Sequence, residues 1–101
     1  MDKREAVRVP VRVRAKCRSS GIVVDGLVED VSRSGLYLRA PVAIARGSSA
    51  EIALDLPGEA PLYLNVEVVR VEGDGMAFKF LDDDSKKPLA NFIMRQHAAS
   101  R

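Results

Sequence analysis

Two short runs of polar residues in this 101-residue chain could do chemistry. Arg4 and Arg8 stand four apart near the N-terminus, and Asp30, Ser32 and Gly35 follow as Asp-x-Ser-x-x-Gly. An arginine presents a planar fork that matches two phosphate oxygens, or O6 and N7 of guanine, and it stacks on bases. Its charge persists at every relevant pH. A carboxylate at Asp30 accepts hydrogen bonds from the N–H groups on guanine's Watson–Crick edge. That arrangement rejects adenine, which lacks a donor at N1. Ser32 donates or accepts. Gly35, with no side chain, allows a positive φ and a close backbone approach to a ligand. Together the runs read as two halves of a receptor site for an anionic guanine nucleotide. Either one alone occurs by chance in many proteins, so order, separation and strand context carry the argument.

Each residue also has a structural reading. Asp30-Val31-Ser32 suits an Asx or Ser turn whose side chains satisfy only local backbone. Gly35 suits a bulge, and Arg4, so close to the end of the chain, suits a disordered terminus.

The charge distribution is uneven. The formal net charge is +2, yet residues 1–18 hold seven basic residues against two acids, and the rest of the chain is net negative. One end is thus an electrostatic lure for anions. Arg12, Arg14, Lys16 and Arg18 read as the solvated face of a strand. Arg33 and Arg39 stand near the second run; a solvated role weighs more for both, with Arg33 carried as an accessory site candidate alongside Lys3.

Several function classes fall away. His97 is the only histidine and Cys17 the only cysteine. Cys17 sits in apolar phase without a visible base partner, so no nucleophile is evident and no intrachain disulfide is available. Asp82, Asp83 and Asp84 are adjacent, which reads as a helix cap better than as a metal site. No metal and no cofactor is expected, and the chain is not read as an enzyme. The basic strand carries no aromatic residue, and Tyr37 and Tyr63 are isolated, against the stacking platforms of a nucleic-acid binder. No apolar run approaches the ~20 residues of a membrane span, and no apolar h-region follows Met1. A cytoplasmic protein without membrane insertion, a monomer or weak dimer, is the expectation.

The elements that must position these residues are mostly strands. Val7, Val9, Val11, Val13, Ala15 and Cys17 alternate with polar residues, the period of a half-buried strand. Pro10 marks an edge, bulge or bend in it. Ser19-Ser20-Gly21 and Asp25-Gly26 are both turn signals, and either could close the first hairpin. A second strand runs from about Leu27 to Val31. Ser32–Gly35 interrupts it before Leu36, Leu38 and Ala40 resume the alternation. Ala50, Ile52, Leu54 and Leu56 give a fourth strand. Leu62, Leu64, Val66 and Val68 give a fifth, whose apolar phase slips to Val69 and Val71 as at a β-bulge. Met76, Phe78 and Phe80 make a sixth. Asp82–Ser85 then offers N-caps, and Leu89, Phe92, Ile93 and Gln96 recur at helical spacing. The pattern predicts one mainly β domain over 1–101, a small antiparallel barrel with a C-terminal helix over 84–98 packed against it.

Arg4-x-x-x-Arg8 leading into a basic-apolar strand, with Asp30-x-Ser32-x-x-Gly35 at the end of the next, resembles the PilZ domain family over nearly the whole chain. The resemblance implies a six-stranded antiparallel PilZ-type β-barrel with a C-terminal α-helix. It also implies a bacterial receptor for cyclic di-GMP, a second messenger of two guanosines closed through two phosphates. Arg4 and Arg8 would hold guanine and phosphate, Asp30 and Ser32 the base, and Gly35 would admit it closely. PilZ-like proteins differ in whether they take one ligand or an intercalated pair; Lys3 would help neutralise the phosphates of a pair. Residues 1–8 would form a flexible arm, short enough that Arg4 is mobile without ligand and orders on binding, passing the signal to an unidentified downstream protein. The alternative is a PilZ-like protein–protein adaptor that binds the nucleotide weakly or not at all.

Overall fold

The protein is described by a computed structural model that covers residues 9–56, 58, 60–81, 91, 92, 94 and 95. Six strands form a closed antiparallel barrel: β1 (Val9–Ser19), β2 (Ile22–Val31), β3 (Gly35–Arg39), β4 (Ser49–Leu54), β5 (Leu62–Glu72) and β6 (Gly75–Phe80). Their order around the wall is β1-β2-β3-β6-β5-β4, with β4 closing back onto β1 through Cys17↔Ile52. Closure leaves few free edges, the main hazard of a small all-β domain.

The alternation along β1 behaves as the sequence predicts. Every second residue from Val9 to Cys17 is buried, and Pro10, Arg12, Arg14, Lys16 and Arg18 face out. The core is filled by Val28, Val31, Leu36, Leu38, Ile52, Leu54, Val66, Val68 and Met76, each 2% exposed or less. Burying a side chain of this size removes enough apolar surface from water to contribute about 1.5–3 kcal/mol. Phe78 and Phe92 join this core, while Phe80 packs partly against it. Asn91, Phe92, Met94 and Arg95 are helical; the rest of the expected 84–98 helix, and the 1–8 arm, lie outside the described residues.

Two expectations are corrected. The first hairpin closes at Ser20-Gly21, where Ser19 pairs with Ile22, so Asp25-Gly26 is no turn and β2 starts at Ile22 instead of near Leu27. Ser20 and Gly21 both have positive φ (47° and 82°), the conformation a two-residue type I′ turn requires. Gly26 is a glycine for another reason: a Cβ there would sit 2.6 Å from the Arg39 carbonyl oxygen. The slip in β5 is a bulge, since Val68 pairs with Phe78 and Arg70 with Ala77. It does not return Val69 and Val71 to the core, and both are exposed.

Candidate functional site

Asp30 reaches the surface because β2 carries an irregularity. Val28 pairs with Leu38 and Asp30 with Tyr37, so β2 has one more residue than β3 across that step. The extra residue shifts the side-chain phase. Val28 and Val31 are both buried, three positions apart, while Glu29 and Asp30 between them are half-buried. Without the bulge, Asp30 would share the inward phase of Val28. As it is, Glu29 and Asp30 line a shallow groove of about 460 Å³, with Pro10, Val11 and Arg12 across from them.

Arg33 and Ser34 form the tip of a tight β2–β3 hairpin, closed by the Ser32 N–H donating to the Gly35 carbonyl at 2.8 Å. Ser32 is 1% exposed, and its hydroxyl works locally. It accepts from the Ser34 N–H at 3.3 Å and lies 3.3 Å from both the Gly35 carbonyl and the Ser34 hydroxyl. Strand β6 holds the tip from beside it, the Phe80 N–H donating to the Ser34 carbonyl at 2.9 Å. Gly35 does not use a positive φ. It is needed because a Cβ would collide with the Phe78 carbonyl oxygen. The Ser-turn reading therefore describes the contacts of Ser32, and close strand packing those of Gly35.

Register brings the second run beside the start of β1. Val9 pairs with Val31, and Pro10 with Asp30. Lys3, Arg4 and Arg8 are themselves outside the described residues. Arg33 is exposed at the hairpin tip, on the rim where β1 starts.

The sequence reading did not single out Arg12, Glu29, Ser34 or Tyr37. Arg12 and Glu29 share the groove with Asp30. Glu29 also receives the Arg39 guanidinium in a surface ion pair, with Arg39 exposed as its solvated reading expects. Ser34 braces Ser32. The Tyr37 hydroxyl donates to Asp74 at 2.6 Å. That bond holds the phenol up at about 12 and holds the Asp74 carboxyl below its ordinary range. A signal was available for the bulge: Val28 and Val31 are apolar at a spacing of three, which simple alternation does not give.

Cys17 is fully buried, and burial pushes its thiol up to about 11, opposite to an activated nucleophile. Among the described residues no three His, Cys, Asp or Glu side chains gather as a metal site, and no helix is long and apolar enough to cross a membrane.

A family model described as PilZ domain matches residues 2–95, spanning both sequence runs. No curated protein matches the chain. Among solved structures, the barrel is similar to the PilZ domain of CeSA from a cellulose-synthesizing bacterium (20% identity over 87% of this chain and 95% of that one, TM-score 0.74). It is also similar to the PilZ domain of YcgR from Escherichia coli, solved with c-di-GMP (11% identity, 99% of this chain and 95% of that one, TM-score 0.85). A third neighbour is the inhibitor of motility MotI/DgrA of Bacillus subtilis (15% identity, all of this chain, TM-score 0.80), of whose length this chain spans 54%. At these identities the likeness is one of fold.

Proposed function

The chain belongs to the PilZ domain family, and we propose that it is a receptor for cyclic di-GMP. In this reading Arg4 and Arg8 hold phosphate and guanine, and the Asp30 carboxylate receives the guanine N–H groups. Ser32 contributes from its turn, Gly35 lets the hairpin seat close to the ligand, and Lys3 and Arg33 add charge. The observation that carries the reading is the register: the bulge that turns Asp30 outward sits opposite Pro10, two residues from Arg8. A dianionic guanine nucleotide in the adjoining groove meets cations from the arm and an acceptor from β2, which together select charge and base.

Binding orders residues 1–8 across the rim, creating a surface that a downstream protein reads; this is a disorder-to-order switch. A C-terminal helix over 84–98 would cover the end of the barrel through Phe92, which is 3% exposed. The second reading, an adaptor that takes the nucleotide weakly or not at all, draws its support from Ser32, whose hydroxyl is buried and locally engaged.

Calorimetric titration with cyclic di-GMP, against GTP and cyclic di-AMP, separates the two. The receptor reading expects saturable, selective heat in the micromolar range or tighter, and the stoichiometry emerges from the same curve. Absence of heat and of any shift in melting temperature would leave the adaptor.

A further inference from the structure

Strand β2 is longer than the strand it pairs with on its far side. The β2–β3 ladder begins at Leu27↔Arg39, and Ile22–Gly26 pair with β1 alone. Ser19↔Ile22 closes a two-residue turn, so Ile22, Val24 and Gly26 direct their backbone groups to β1. Val23 and Asp25 direct theirs the other way, into the lane that β3 leaves at Ala40-Pro41. Among the described residues no hydrogen bond reaches Val23 or Asp25 from that lane.

Proteins guard such an edge with proline, a bulge, an inward charge or a covering loop. Here its side chains include Ile22 and Val23, 50% and 53% exposed. The charge on Asp25 is already tied to Lys16 at 2.8 Å.

The lane runs into a groove of about 610 Å³, floored by Gly26 and Leu27 and lined by Arg12, Arg14 and Arg39. Arg12 and Arg14 pair with no carboxylate of a described residue. Of the two acids at its margin, Asp25 is paired with Lys16, and Asp74, which accepts from Tyr37, lies 4.0 Å from Arg39. With Arg39 engaged by Glu29 and Asp74, Arg12 and Arg14 leave surplus positive charge beside an open backbone edge.

We propose that Val23–Asp25 and this groove dock an extended acidic segment of a partner protein by strand addition. Main-chain hydrogen bonds to Val23 and Asp25 supply the address, and carboxylates facing Arg12 and Arg14 supply the sign. No aromatic side chain lines the groove, which disfavours single-stranded nucleic acid. A second copy of this edge would bring its own basic β1 into the same sheet, so like charges disfavour self-pairing. The proposal is independent of nucleotide binding at the other rim.

The test uses the full chain, without nucleotide, and a short capped peptide alternating valine and glutamate, with a valine–lysine peptide as its counterpart. The acidic peptide is expected to shift the amide resonances of Val23, Asp25 and Gly26 saturably and to slow hydrogen exchange at Val23 and Asp25. The basic peptide should leave them unmoved. Arg14→Glu, on an exposed side chain, should weaken the acidic peptide by about five-fold or more while leaving the amide spectrum folded. Equal response to both peptides, or none at Val23 and Asp25 at millimolar peptide, overturns the proposal. So does sedimentation as a dimer whose dilution releases protection at Val23, or an oligonucleotide that moves these amides where the peptide does not.

Discussion

The barrel has two tight hairpins on β2, one at each end, and they are built on opposite principles. At the β1–β2 tip, Ser20 and Gly21 take positive φ, and nothing lies within 4 Å of where a Gly21 Cβ would stand. That turn is shaped by backbone freedom alone. At the β2–β3 tip, Arg33 and Ser34 use no positive φ. There the Ser32 hydroxyl braces Ser34, the Phe80 N–H takes the Ser34 carbonyl, and Gly35 packs directly onto Phe78. A turn held by side chains and neighbouring strands has a fixed shape to offer a ligand, whereas a free turn is only a connection. The braced tip is also the one beside Asp30 and the start of β1.

The sharpest way to break this comparison is a methyl group at each glycine. Gly35→Ala meets backbone that cannot move independently and should cost about 3 kcal/mol in urea-monitored unfolding. Gly21→Ala carries only the penalty of a positive φ, about 1 kcal/mol. Equal losses would remove the distinction between a packed tip and a free one.

Arginine substitutions divide the two ends next. Arg8→Ala should weaken cyclic di-GMP binding by about 1–3 kcal/mol, the worth of one bidentate guanine contact, with the melting temperature retained. Arg14→Ala, in β1 toward the free hairpin, should change nucleotide affinity little. If calorimetry finds both equally damaging, diffuse charge and not a site attracts the ligand.

The smallest effects concern pH. Hydrogen bonding to Asp74 raises Tyr37 from 10 to about 12, so this contact favours the fold below pH 10 and loses its effect between 10 and about 12. The Asp74 carboxyl is lowered, chiefly by the same bond, so its contribution is present above the ordinary carboxylate range and is lost as pH falls through the depressed value. Asp74→Asn should bring the Tyr37 titration, followed by tyrosinate absorbance, back toward 10. A midpoint that stays near 12 would detach Tyr37 from Asp74.

Much of the fold was legible because most strands keep strict alternation, and burial on one face makes register unambiguous. The strand from Val9 to Cys17, the bulge after Val68 and the burial of Phe78 and Phe92 all follow from spacing. What alternation could not resolve were choices decided by contact. Asp25-Gly26 looks like a turn, but Gly26 is required by the Arg39 carbonyl that crosses it. Gly35 was read for conformational freedom, yet its neighbour Phe78, more than forty positions on, sets the requirement. The candidate site was legible only as a set of residue types. Its second half was only partly legible as geometry: the spacing of Val28 and Val31 hints at the bulge, but its exposure of Asp30 depends on β3 having one residue fewer.

The most direct test of the account is an amide-resolved NMR titration of the full chain with cyclic di-GMP. The account predicts saturable shifts at Val9, at Glu29–Gly35 and at Phe80, with Val23, Asp25 and Asp74 unmoved. Shifts that centre on the β1–β2 hairpin, or a chain that ignores the nucleotide altogether, would contradict it.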